Sequence, residues 1–292
     1  MTRRTVIVTG ASSGIGAAVA RRLGEMGFAV YAAARRADEI SRTAGVVPVC
    51  TDVTDHGSLE ALARRAIDET GRIDVLINNA GYGSFGSVEE VPLGEARRQF
   101  EVNVFGPARL TQLVVPHMRE RGRGRIVNVT SVGGRIHEPL GGWYHASKFA
   151  IEGLSDCLRM ELAPFGIDVV VVEPSSTRTG WGALAIAGLT AVSGSGPYAA
   201  QARVLAASHE SAAASPRITS TPETVAAVVV QAVRARRPLT RYAAGTGARQ
   251  LLLARRLLPD RAFDALMARA FGADPARRAA PGRGLRRRVR ES

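Results

Sequence analysis

Lysine is almost absent from this chain: Lys148 is the only one in 292 residues, although Lys and Arg together number 39. Every other basic side chain is an arginine, so Lys148 marks a position suited to a compact ammonium rather than to positive charge in general. Cysteine is nearly as scarce. Cys50 and Cys157 cannot form a disulfide framework or a Cys-pair metal site, so no metal is expected, and a reducing cytoplasm is the expected compartment. Aromatic residues make up 5%, which leaves Ala, Val, Leu and Ile to build the core. No apolar run reaches the roughly 18 residues of a membrane-spanning helix. The stretch Val6-Ile7-Val8 behind Met1-Thr2-Arg3-Arg4 is too short and wrongly flanked for a signal peptide.

What is present points to a globular protein: 46% hydrophobic and 22% charged residues, in a length suited to one large domain. The net charge is +13, but Arg277, Arg278, Arg283, Arg286, Arg287, Arg288 and Arg290 crowd the C-terminal end. Residues 273–292 are therefore expected to form a solvated, disordered basic tail, with contact to an anionic membrane or to nucleic acid as the alternatives. No specific nucleic-acid partner is expected.

Short, nearly continuous apolar runs at residues 5–9, 28–34, 46–51, 75–78, 125–131 and 168–173 alternate with helical patterns at 15–26, 58–69, 93–121 and 143–165. Alternation of this kind predicts βαβ units and a doubly wound parallel α/β sheet, a Rossmann fold, in a single domain with a C-terminal helical extension. Pro107 and Pro116 are expected to kink or divide the third helix. The expected catalytic domain is 1–248. Within it, residues 180–220, rich in Ala, Ser and Gly, read as a mobile insertion on the substrate side. A helix at 222–236 and a short run at 239–243 follow, and an amphipathic helical extension covers 249–272.

Between the first strand and first helix stands Gly10-Ala11-Ser12-Ser13-Gly14-Ile15-Gly16. A glycine-rich turn there presents backbone N–H groups and a helix N-terminus to a pyrophosphate. Gly10 permits the tight turn, Gly14 the close approach and Gly16 the packing of helix on strand. The second strand ends in Arg35-Arg36 with no acid at its tip, which favours the 2′-phosphate of NADP over the free ribose of NAD. The alternative is a solvated helix start; Asp38 lies too late to serve as the ribose ligand.

Tyr144 and Lys148 are spaced i, i+4 at the start of a helix, on one face. A phenol that ordinarily titrates at about 10 must come toward neutrality to exchange protons readily, a change of roughly 4 kcal/mol. An ammonium about 5 Å away at an effective dielectric of about 20 supplies about 3 kcal/mol. The pair is thus expected to lower the tyrosine, with a nearby nicotinamide cation supplying the remainder.

Together with Asn78-Asn79-Ala80-Gly81, Asn103 and Ser131 in this order and spacing, these motifs make residues 5–180 resemble the short-chain dehydrogenase/reductase family. The resemblance implies that Tyr144 is the general acid and base and that Ser131 hydrogen-bonds the substrate oxygen. Lys148 would lower the phenol and hold the nicotinamide ribose, and Asn103 would anchor a water linked to Lys148. Asp52, with Val53 beside it, would meet the adenine, Asn79, Ala80 and Gly81 would border the cofactor, and Pro174, Thr177 and Thr179 would close over the nicotinamide. Ser175 stands where the family usually has Gly, and if that position needs positive φ the serine costs about 1 kcal/mol.

The implied activity is NADP(H)-dependent hydride transfer between a carbonyl and an alcohol. The segments 82–88, 132–143 and those beyond Thr179 are largely apolar and include Trp143 and Trp181, so a lipophilic substrate is expected. His137 and His145 are read as structural or solvent-facing. A homo-oligomer is implied by the family, and peripheral membrane contact through 249–271 is an alternative to internal packing. Competing readings are a nucleotide-binding sensor or scaffold without turnover, and an epimerase or dehydratase on the same fold.

Overall fold

Seven of the apolar runs become strands of one sheet: β1 (Thr5–Thr9), β2 (Ala29–Ala34), β3 (Val46–Cys50), β4 (Val75–Asn78), β5 (Gly124–Val129), β6 (Ile167–Pro174) and β7 (Arg241–Ala244). In this computed structural model, which describes residues 3–215 and 217–271, they pair in the order β3-β2-β1-β4-β5-β6-β7. Every pairing is parallel. Side chains alternate across β1. Val6 and Val8 join Val19, Leu23, Val225 and Val229 on one face, whereas Ile7 joins Leu59, Leu62, Leu110 and Val114 on the other. The first face carries α1 (Gly14–Glu25) and α8 (Pro222–Arg234); the second carries α2 (His56–Thr70), α4 (Gly106–Glu120) and α5 (Gly142–Leu162). Fully burying a leucine such as Leu59 or Leu62 contributes about 1.5–3 kcal/mol, which explains the unbroken apolar character of both layers.

Local chemistry sets the helix ends. Asp55 caps α2 by accepting from the Ser58 backbone N–H at 2.6 Å, and Gly71 ends it at φ +70°. Thr221 caps α8, and Pro222 occupies its first turn. Because β1 pairs with both β2 and β4, the chain direction across the sheet reverses at β1/β4. That reversal opens a crevice beyond the C-terminal ends of the two strands.

The predicted third helix is in fact two, α3 (Leu93–Phe100) and α4, joined without a break by a π-helical turn at Glu101–Phe105. Pro107 follows directly on the π-turn at the start of α4, and Pro116 is accommodated inside that helix. Residues 180–220 hold two helices, α6 (Gly180–Ser193) and α7 (Ala199–Ala214). Their inward positions are small or widely spaced, namely Ala185 and Leu189, then Ala202 and Leu205, so the amphipathic period is faint in the sequence. The last amphipathic stretch divides at Leu258-Pro259 into α9 (Ala248–Leu257) and α10 (Asp260–Ala270). Phe263 and Met267 of α10 pack on Val132 and Ile136, which docks this pair of helices beside the crevice. The basic tail lies outside the described residues.

Candidate active site

The two turns leaving β1 and β4 are bound to each other. Thr9 Oγ1 accepts from the backbone N–H groups of Asn79 at 3.0 Å and Ala80 at 3.1 Å, and Asn79 Nδ2 donates to the Thr9 carbonyl at 2.9 Å. This closeness leaves no room for side chains. A Cβ on Gly10 (φ +67°) would lie 2.8 Å from Ala80 Cα, and one on Gly16 would collide with the Gly10 carbonyl. Ser13 is extended and makes no cap hydrogen bond, and the first turn of α1 has no acid. Its N–H groups therefore remain free to meet an anion. Ser12 is half-buried, Ser13 exposed, and Ile15 packs against the core. Across the turn, a Cβ on Gly14 would come 3.0 Å from the Thr179 methyl. A cradle that a methyl group would fill, under an open helix N-terminus, fits a dinucleotide pyrophosphate.

Beyond β2, Arg35 and Arg36 are both exposed. Arg36 pairs with Glu39 at 3.1 Å, whereas Arg35 forms no ion pair among the described residues. Asp52 follows β3 and accepts from the Thr54 N–H at 2.9 Å and its hydroxyl at 2.8 Å. The Thr54 backbone bond, helped by the Arg35 charge, holds its carboxyl below the usual range. Asp52 thus braces its own turn, and Val53 beside it lies against Gly106, where a Cβ would stand 2.5 Å from the Val53 carbonyl.

Asn103 lies in the π-turn, a distortion that re-aims one side chain out of a helical row. Its Nδ2 donates to the Tyr82 carbonyl at 2.9 Å and Ser147 Oγ at 3.0 Å, and its Oδ1 accepts from the Tyr82 N–H at 3.1 Å. Asn103 and Lys148 border the same small space: a Cβ on Gly81 would stand 3.1 Å from Asn103 Oδ1 and 3.5 Å from Lys148 Nζ. Ser131 follows β5, accepts from the Gly133 N–H at 2.9 Å and donates toward the Pro174 carbonyl at 3.4 Å. Its hydroxyl lies on the Tyr144 side of the site and acts on the phenol electrostatically.

Burial governs both members of the Tyr144–Lys148 pair. It pushes the phenol up to about 12, with the Ser131 hydroxyl opposing and the Glu138 charge adding. It brings the ammonium down to about 8 against the charge of Glu152. The direction at Tyr144 is thus upward, set by burial, where the i, i+4 spacing alone predicts a lowering by Lys148; Lys148 Nζ reaches the Val129 carbonyl at 3.4 Å.

Aromatic rings surround Tyr144. Its ring centroid lies 5.5 Å from Phe85 and 5.1 Å from Trp181, and Leu140, Leu189 and Leu205 complete the cluster. Leu140 is the one non-glycine residue with positive φ among the described residues, at +59°, a strain held at the edge of this wall. Ser175 is free of such strain. It is not left-handed, and its hydroxyl donates to the Thr246 carbonyl at 2.8 Å. Thr177 Oγ1 donates to the Ser175 carbonyl at 2.9 Å just past Pro174, and Thr179 caps α6.

One group was missed in the sequence. Glu138 lies 3.7 Å from His145 Nε2 and 3.3 Å from His209 Nε2, in a wall otherwise apolar. Burial alone would raise its carboxyl, but the two imidazoles bring it down to about 2. His145 is buried, its Nδ1 2.8 Å from the Gly133 carbonyl, whereas His137 is half-buried and pairs with Asp264 at 2.8 Å. No local spacing announces this cluster, because it joins a loop to two separate helices.

Comparison with known proteins agrees with this geometry. The family described as short chain dehydrogenase matches residues 4–186. A 3-ketodihydrosphingosine reductase of Bacteroides thetaiotaomicron is 40% identical over 62% of this chain, a match spanning 66% of that relative, just under two thirds of its length. An NADPH-dependent 3-dehydrocapnine reductase of Ornithobacterium rhinotracheale is 30% identical over 89% of this chain and 95% of its own. Among solved structures, a short-chain dehydrogenase from Streptomyces avermitilis superposes with a TM-score of 0.75 at 33% identity, covering 94% of this chain and 98% of that one. One from Burkholderia cenocepacia is in complex with NADP (TM-score 0.71, 27% identity, covering 92% and 98%). Another, from Burkholderia phymatum, is in complex with NAD (TM-score 0.74, 26% identity, covering 88% and 92%). The glycine cradle, strands β1 to β6 and the Ser131, Tyr144 and Lys148 cluster thus all lie within the matched residues, and the chain belongs to the short-chain dehydrogenase/reductase family of oxidoreductases.

Proposed function

We propose that this oxidoreductase interconverts a lipophilic carbonyl and its alcohol with NADP(H), using Tyr144 as general acid and base. When bound, the nicotinamide supplies or accepts the hydride. Tyr144 gives its phenolic proton to the carbonyl oxygen during reduction and takes it back during oxidation. Ser131 donates a hydrogen bond to that same oxygen and so fixes it against Tyr144. Lys148 and Asn103, the latter locked by Tyr82 and Ser147, stand where Gly81 leaves space for a ribose. Arg35, exposed and unpaired among the described residues, is the group proposed to meet a 2′-phosphate.

The observation that carries the reading is the placement of Tyr144, a buried phenol beside Ser131 and inside an aromatic wall, with Lys148 one helical turn along α5. The names of the two reductase relatives, one of them NADPH-dependent, favour the reductive direction. A scaffold without turnover has no need of such a group. We also propose a catalytic domain at 1–248, with α6 and α7 as its substrate-side insertion and α9 and α10 as its extension. Exposed Phe105, Phe149 and Met160 on the α4–α5 side favour a homo-oligomer, which sedimentation tests directly.

A panel of aldehydes, ketones and alcohols, followed by NADPH and NADH absorbance, tests the chemistry. Apolar carbonyls are expected to turn over with NADPH, and Tyr144→Phe to lower kcat by about 10²–10⁴. Undiminished turnover in that variant removes Tyr144 from the mechanism.

A further inference from the structure

Helices α9 and α10 use one side each to dock on the protein, through Phe263, Met267 and the half-buried Leu251, Leu252 and Leu258. Their other sides carry an unusual mixture. Leu253 is 55%, Leu257 70% and Leu266 41% exposed. Arg249, Arg256, Arg261 and Arg269 are exposed around them, and none of the four forms an ion pair among the described residues. The nearby acids are already engaged: Asp260 pairs with Arg255 at 2.9 Å and Asp264 with His137 at 2.8 Å. Arg249, Leu253, Arg256 and Leu257 follow the i, i+4, i+7, i+8 spacing of a single helix face. The surface is therefore apolar and cationic together, and the two acids of α10, Asp260 and Asp264, are both paired elsewhere.

We infer that this α9–α10 surface docks on an anionic lipid membrane. Leucines inserted at the boundary of headgroups and acyl chains leave water, while arginines on the same face stay level with lipid phosphates. Each rival occupant satisfies half of the surface. A nucleic acid would take the guanidinium groups and leave the leucines in water. A second copy docked symmetrically on the same face would bury the leucines and bring unpaired arginines against one another. The sequence that follows Phe271 adds seven further arginines between Arg277 and Arg290, which strengthens the same electrostatic attraction.

The surface adjoins the active site. Ser208 of α7 donates to the Ala270 carbonyl at 3.3 Å, and the His209 ring stacks on Phe271 with centroids 5.8 Å apart. His209 in turn meets Phe85, a ring of the Tyr144 wall, at 5.8 Å. Docking here brings α7 and the aromatic wall close to the bilayer, the natural reservoir of an apolar substrate. This use rests on the proposed lipophilic substrate, whereas the docking itself is measured without turnover.

The test is flotation of the full chain with vesicles of phosphatidylcholine alone and of phosphatidylcholine mixed with phosphatidylglycerol, across a salt series. The wild type is expected to bind the anionic vesicles and not the neutral ones. The triple variant L253S/L257S/L266S is expected to bind about tenfold or more weakly, with unchanged sedimentation and unchanged turnover of a water-soluble carbonyl. R249Q/R256Q/R261Q/R269Q is expected to make the salt dependence less steep. Equal binding by the leucine variant would assign any affinity to arginine charge alone and overturn the inference. So would absence of binding by the wild type, or a leucine variant that breaks an oligomer apart. Loss of docking with turnover intact, or turnover lost with docking intact, separates this inference from the proposed chemistry.

Discussion

His209 Nε2 lies 3.3 Å from Glu138 Oε2, joining α7 to the loop that leads into Tyr144. Burial opposes charge on the imidazole, yet Glu138 raises His209 above its ordinary value. The signs define a window. The histidine contribution is complete below the unfolded imidazole value of about 6.5 and is lost as pH rises through the raised folded value. The Glu138 contribution is present above its ordinary 4.5 and is lost as pH falls through about 2. Breaking a pair this enclosed costs about 2 kcal/mol, discounted for the partial exposure of the histidine. His209→Asn and Glu138→Gln are therefore expected to lower Tm by roughly 4 °C at about pH 6, and by much less at about pH 9. Equal losses at both pH values in thermal denaturation would mean that packing, and not the ion pair, holds α7 in place.

Lys148 carries a second pH signature. Burial brings its ammonium down to about 8, so the charged form prevails below that value and the neutral amine above it. If the charge assists proton transfer at Tyr144, kcat/KM for carbonyl reduction is flat through neutrality and falls as pH rises past about 8. In Lys148→Met the rate is lower throughout, by about 10²-fold or more, and the limb is absent. A wild-type profile that stays level well above that pH would remove the ammonium from the reaction.

Much of this arrangement was legible in the sequence, and for identifiable reasons. The runs at β1 and β4 are continuous, β-branched and bounded by Gly or Asn, so their limits coincide with the strands observed. Gly10, Gly14 and Gly16 carry their geometry in their spacing, because only residues without Cβ tolerate two backbones that close. Helices α6 and α7 were not legible, since Gly180, Gly182 and Gly188 weaken helix propensity and their buried positions are sparse. The upward pull of burial on Tyr144 was also not legible. Spacing places an ammonium one helical turn away, but burial depends on Phe85 and Trp181, which come from distant segments. Glu138, His145 and His209 escaped for the same reason.

Cofactor choice is tested at the tip of β2. Arg36 is partly occupied by Glu39, which leaves Arg35 as the freer guanidinium. Arg35→Asp replaces a phosphate partner with a carboxylate that repels phosphate and accepts from ribose hydroxyls. The ratio of kcat/KM with NADPH to that with NADH is expected to fall by tenfold or more, chiefly through KM for NADPH. An unchanged ratio would exclude Arg35 from the phosphate site and leave Arg36 to be tested in its place.

Ser175 decides how far the family's usual glycine is needed at the end of β6. Positive φ there would make serine a strained substitute, and Ser175→Gly would then stabilise the protein. The backbone instead avoids the left-handed region, its N–H donates to the Ala244 carbonyl at 2.9 Å, and Oγ donates to the Thr246 carbonyl at 2.8 Å. Removing the side chain deletes that last bond and loosens the unfolded and folded backbone alike. Ser175→Gly is thus expected to destabilise by about 1 kcal/mol, read as a Tm lower by roughly 2–4 °C. A higher Tm would restore the strained-serine account. Because the bond ties the turn beyond Pro174 to the start of the C-terminal extension, the same variant is also expected to raise KM for the cofactor more than it lowers kcat.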